Sequence, residues 1–178
     1  HAQIETENNN FNFDDVCNDI CQKMIVRHPH VFGDVSANTT DQVLNNWDKI
    51  KMNTKGQTTY TETLDSVAKS LPALMRAEKV GKRASKANMD FQSVQDALQS
   101  VKDETIELQQ AIDSNSSQDV YEEFGDLLFS CVNLARKLGI DSERSLVDAT
   151  NKFIDRFSKT EQLIRSNGIE DMKSLDIH

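Results

Sequence analysis

Apolar residues recur every three or four positions along most of the chain, and no stretch alternates apolar and polar residues long enough to form a strand. The pattern predicts an almost wholly helical protein. A first helix follows NFDD, runs from about Asp15 to Val26, and ends against RHPHVFGD, where a proline and a glycine enforce a stop. A second spans about Thr40 to Lys51, and the stretch NTKGQTTYTET after it, rich in Thr, Asn and Gly, is expected to be a linker. Ser70 is expected to cap a third helix, with Pro72 in its first turn and Arg76, Lys79 and Arg83 on one face, reaching about Ala87. Asp90 is expected to cap a fourth, carrying Val94, Leu98, Val101, Leu108 and Ile112 at helical spacing. After the polar turn DSNSSQ, Ser116 and Asp119 give a capping-box signal for a fifth helix ending at Gly139 behind Arg136 and Lys137. A sixth begins at Asp141 or Ser142 and reaches about Ser166, stopped by NG.

Composition narrows the class. With 178 residues, 6 glycines and 2 prolines, the chain is long enough for one core plus an appended piece, and its fold class is all-α. Three cysteines without metal-ligand spacing argue for a reducing cytoplasm rather than a disulfide framework, and Cys17 and Cys21, one turn apart, fit two small core residues better than a redox pair. There is no apolar run of about 18 residues, so no membrane span is expected. A net charge of -9 disfavours broad contact with nucleic acid or an anionic membrane, yet leaves room for a small anionic substrate bridged by a divalent cation. Residues 1–12, starting at His1, are expected to be a tag or disordered.

The candidate chemistry lies on the fourth and fifth helices, which their short turn folds into an antiparallel hairpin. Glu104 and Glu107 are three apart on one helix, Glu123 and Asp126 three apart on the other, so each pair shares a face. Glu104 and Asp126 are equidistant from Asn115, as are Glu107 and Glu123, so the four carboxylates can converge level with one another across the hairpin. At about 100° per residue, both pairs fall on the flank of the apolar stripe, at the rim of the core. Gathered carboxylates repel unless a raised pKa or a cation relieves them, and hard oxygen ligands suit Mg²⁺ or Mn²⁺. A di-iron bundle would need Glu-x-x-His on two helices, and His1, His28, His30 and His178 all lie outside the hairpin. A solvated acidic flank is the competing reading. Asn133 continues the stripe of Asp126, and Lys152 and Arg156, four apart on the sixth helix, form either a phosphate-binding pair or an ordinary solvated face.

These residues carry a resemblance. The stretches KDETIELQQAI, EEFGDLLFSCVNLARKLGID and NKFIDRF resemble the MazG family of nucleoside triphosphate pyrophosphohydrolases, whose signature is E-x-x-E, a spacer, then E-x-x-D. Upstream, RHPHVFGD, VLNNWDKIK and SLPALMRAEKVGKRA are similar to the segment that joins the two repeats of long MazG proteins, and DICQKMIVR echoes DATNKFIDR. The resemblance implies a helical tail of a truncated first repeat over 13–51, a linker over 52–69 and a pyrophosphohydrolase domain over 70–178, with a bundle completed by dimerisation. It further implies Mg²⁺ held by Glu104, Glu107, Glu123 and Asp126, with Lys152, Arg156 and Asn133 toward the substrate and a nucleoside triphosphate split into monophosphate and pyrophosphate. Related all-α pyrophosphatases acting on dUTP or dCTP share the acidic signature, and a helical module that only dimerises is the non-enzymatic alternative. Trp47 is expected either in the core or stacked on a base.

Overall fold

The computed structural model describes residues 1–35, 39–169 and 172. The described residues form two compact units, 1–63 and 64 onward. Helices α1 (Ala2–Glu7), α2 (Phe13–Arg27), α3 (Pro29–Phe32) and α4 (Thr40–Thr54) belong to the first, and α5 (Tyr60–Asp65) spans the division. The second holds α6 (Ala73–Lys86), α7 (Val94–Asp113), α8 (Ser117–Lys137) and α9 (Ser142–Ser166).

In the first unit α2 packs against α1, α3 and α4. Asn12 accepts from the backbone N–H of Asp15 while the Asp15 carboxylate accepts from that of Asn12, a reciprocal cap that starts α2 two residues before the expected Asp15. The guanidinium of Arg27 lies 5.6 Å from the ring of Trp47 and the Lys51 ammonium 4.7 Å from it, so the half-buried indole binds two cations through its π face. Residues 1–12, expected to be a tag or disordered, instead contain α1.

The second unit is built on the α7–α8 hairpin, with α6 laid along α8 and α9 touching both α6 and α8. Small side chains let α7 and α8 approach closely: Ala97, Ala111, Val132 and Ser130 are buried there, and Ser100 Oγ lies 3.0 Å from Ser130 Oγ. Those serines are equidistant from Asn115, which fixes the hairpin register expected from the sequence. The turn is closed by Asn115 itself at φ 55°, in the left-handed region that asparagine tolerates. At the other end of α8, Gly139 at φ 71° ends the helix, with Ile140 N–H donating to Ala135 C=O at 2.8 Å and Gly139 N–H to Arg136 C=O at 3.1 Å.

Three boundaries differ from expectation, each for a local reason. The stretch 52–69 is not a plain linker: α4 continues to Thr54, and Glu62 accepts from the N–H groups of Thr58 and Thr59 while its own N–H donates to Thr59 Oγ1, a cap that starts α5. Val67, in the same stretch, is buried in the second unit. Pro72, rather than Ser70, is the residue before α6, and no side chain caps that helix. Ser93, paired with Asp96, caps α7 in place of Asp90, whose carboxylate is drawn away to Arg136 and Lys137. Caps at Ser116 and Asp141 sit where the sequence put them. The far end of the expected 70–178 domain, at 170–171 and 173–178, lies outside the described residues.

Candidate active site

Helical periodicity and the short Asn115 turn together bring the acidic pairs face to face. One carboxylate oxygen from each of Glu104, Glu123 and Asp126 lies within 4.8 Å of the others. Glu104 and Glu123 are half-buried and Asp126 is exposed. Glu107 is exposed and stands outside this trio, yet its charge is the largest electrostatic contribution acting on both Glu104 and Glu123.

The electrostatics follow from that crowding. Partial burial raises the carboxyl pKa of Glu104 first, then the charges of Glu107, Asp126 and Glu123 add to it, against a lowering hydrogen bond from Ser130. Partial burial likewise leads for Glu123, followed by Glu107, Asp126, Asp119 and Glu122, and its pKa is also raised. Such a cluster gains free energy by taking up either protons or a cation. Its donor set is all carboxylate oxygen, half-shielded from water and open on the Asp126 side, which fits a hard divalent ion that keeps coordination positions for a phosphate.

The other expected substrate contacts lie on α8 and α9. Lys152 lines an open cleft with Ile140, Asp141, Arg144, Ser145, Asp148 and Ala149, and Arg156 is exposed one turn further along α9. Asn133 is 8% exposed on the side of α8 that meets α6, where its Oδ1 accepts from Arg136 Nε at 3.4 Å and Nη2 at 3.3 Å. Arg76 and Arg83 lie half-buried on α6, and Arg83 Nη1 donates to Ser66 Oγ at 2.8 Å. All three cysteines are free.

Two residues beside the site escaped sequence reading. Ser130 Oγ donates to Glu104 Oε1 at 3.5 Å, and Ser100 stands behind it. The signal was present: Ser100 lies four residues before Glu104 and Ser130 four after Asp126, each one turn along the acidic stripe.

Fold and site define an all-α protein that carries a carboxylate cluster between the two helices of a hairpin. The chain belongs to the MazG family: the MazG nucleotide pyrophosphohydrolase domain matches residues 1–32 and 92–160, the second stretch spanning all four acidic positions together with Lys152 and Arg156. It is 38% identical over 181 residues to a nucleoside triphosphate pyrophosphohydrolase of Escherichia coli K12, covering 99% of this chain and 68% of that one. It is 38% identical over 169 residues to the Thermotoga maritima nucleoside triphosphate pyrophosphohydrolase/pyrophosphatase MazG, covering 95% and 63% respectively. A Bacillus subtilis protein, YabN, is 40% identical over 171 residues, which is 96% of this chain and 35% of YabN. Among the described residues no helix is long and apolar enough to cross a membrane.

Proposed function

We propose that this protein hydrolyses nucleoside triphosphates between the α and β phosphates, releasing a nucleoside monophosphate and pyrophosphate, with Mg²⁺ or Mn²⁺ held by Glu104, Glu123, Asp126 and Glu107. The observation that carries the reading is the meeting of three carboxylates within 4.8 Å on a hairpin of this family. Surplus or non-canonical nucleotides are the substrates proposed.

When bound, the cation supplies Lewis-acid chemistry, neutralising phosphate charge and acidifying water. The protein's own groups do the rest. A water oxygen attacks the α phosphorus, the bond to the bridging oxygen breaks, and a carboxylate of the cluster not committed to the cation accepts the water's proton. That a half-buried Glu has a raised pKa makes it a better base than a solvated one, because its affinity for the proton is greater. Lys152 and the planar fork of Arg156 offset the charge that develops on the leaving pyrophosphate.

The exposed apolar surface of the second unit supports a homodimer. Phe153, Ile154 and Phe157 on α9 stand open, Phe153 at 67%, as do Phe124 and Leu128 on α8 beside the acidic positions. A second copy covering those helices would complete the bundle and close the site from the solvent side.

Pyrophosphate release from mixed NTPs, assayed with and without Mg²⁺ or Mn²⁺, tests the proposal. Metal-dependent turnover that Glu123→Gln abolishes is expected. No turnover in any metal leaves only a dimerising module, and turnover untouched by the substitution takes Glu123 out of the proposed site. Rates compared across bases separate broad preference from a dUTP- or dCTP-directed enzyme.

A further inference from the structure

Behind the carboxylates stands a pair of hydroxyls with a defined polarity. Ser130 is only 5% exposed, and its Oγ is 3.0 Å from Ser100 Oγ and 3.5 Å from Glu104 Oε1. Each hydroxyl carries one hydrogen. An ionised Glu104 can only accept, so Ser130 spends its proton there and its oxygen must then accept from Ser100. The chain therefore runs from Ser100 through Ser130 to Glu104, crossing from α7 to α8 and back to α7.

Glu104 needs such an anchor. A glutamate has three rotatable side-chain bonds, and the charges of Glu107, Asp126 and Glu123 all push its carboxylate away from the cluster toward solvent. The hydrogen bond to Ser130 opposes both effects, and it comes from a buried group whose own position is fixed by close helix packing. We propose that Ser130 is a positioning residue that holds Glu104 in the rotamer meeting Glu123 and Asp126, so that the site is formed before the cation arrives. This rests on the metal-site reading above. Hydrogen bonds to metal-ligating carboxylates matter through such pre-orientation, and losing one typically weakens metal affinity about 10–100-fold.

Mn²⁺ titration of the full chain, followed by electron paramagnetic resonance, tests this without reference to turnover. Ser130→Ala is expected to weaken Mn²⁺ binding about tenfold, near the lower end of that range because the bond is long. Ser100→Ala is expected to stay within about twofold, since Ser130 keeps its proton for Glu104. In a Glu104→Gln background, Ser130→Ala is expected to cost nothing further, the signature of an effect transmitted through that carboxylate. Should Ser130→Ala fail to fold, Ser130→Cys, close in size with a weak donor, takes its place with the same outcomes. Wild-type affinity in the Ser130 variant, equal losses from both serines, or an undiminished loss in the Glu104→Gln background would each overturn the proposal. A wild-type chain that binds no Mn²⁺ instead removes the metal site itself, and this inference with it.

Discussion

Glu104 is where the site and the stability of the fold pull in opposite directions. Its carboxyl sits half out of water among like charges, so its pKa in the folded chain stands above the ordinary value of 4.5. A carboxyl whose folded pKa is raised binds its proton more tightly folded than unfolded. It therefore destabilises the fold as pH rises from the unfolded value through the raised one, and adds no penalty below both. Glu104→Gln is accordingly expected to raise the melting temperature of the metal-free protein at neutral pH by a few degrees, a gain that fades toward pH 4. Mg²⁺ should stabilise the wild type more than that variant. A drop in melting temperature for the metal-free variant would contradict the electrostatic account. Asp90 shows the opposite sign: hydrogen bonds from Arg136 and Lys137 hold its pKa at about 2, below 3.8, so its contribution is present above 3.8 and is lost as pH falls through about 2. That shift corresponds to about 2 kcal/mol, and Asp90→Asn should lose about that much in urea unfolding at pH 7, with the gap from wild type narrowing below pH 4.

At the scale of elements, what was legible depended on whether a feature is set by neighbours in sequence or by distant ones. The α7–α8 hairpin, and the meeting of Glu104, Glu123 and Asp126 on it, were legible because the 3.6-residue period and one short turn dictate register, and the Ser100–Ser130 contact bears that register out. The start of α7 was not, because Asp90 and Ser93 are both competent caps and the choice falls to Arg136, 46 residues away from Asp90. The cap of α5 was legible in principle, as Thr59 and Glu62 have the spacing of a capping box, but Thr- and Gly-rich surroundings favour a linker. The seat of α6 on α8 depends on a contact that composition conceals. A Cβ on Gly81 would fall 2.8 Å from Asn133 Oδ1 and 3.1 Å from Arg136 Nε. Those atoms cannot yield freely, because Arg136 is bound to Asp90 as well as to Asn133. Gly81→Ala should therefore cost about 1–3 kcal/mol, the scale of overpacking, despite the better helix propensity of alanine. Urea midpoints of the two proteins check this, and a stabilised variant would show that α6 is free to shift.

For the whole molecule, the balance of buried and exposed apolar surface is the informative quantity. Among the described residues the buried apolar ones are Val67, Ala97, Ala111 and Val132, all of modest size, while Phe124, Phe129, Phe153 and Phe157 are exposed. Long helices normally gain most of their stability from burying an apolar face, and α9, with 25 residues, has no buried one. Sequence periodicity marks such a face but does not say whether the surface that covers it comes from the same chain or another. The proposed homodimer would supply that surface through a self-complementary patch, which gives the prediction its form. Sedimentation at micromolar concentration should show a dimer, and Phe153→Glu together with Phe157→Glu should shift it to monomer with helicity preserved or frayed at α9. If the site needs the second copy to exclude water, pyrophosphohydrolysis should fall with dissociation and recover as wild-type protein is concentrated, whereas Glu123→Gln should abolish turnover without changing sedimentation. A monomeric wild type with full turnover would place the apolar face outside the catalytic assembly and leave the carboxylate cluster to act from a single chain.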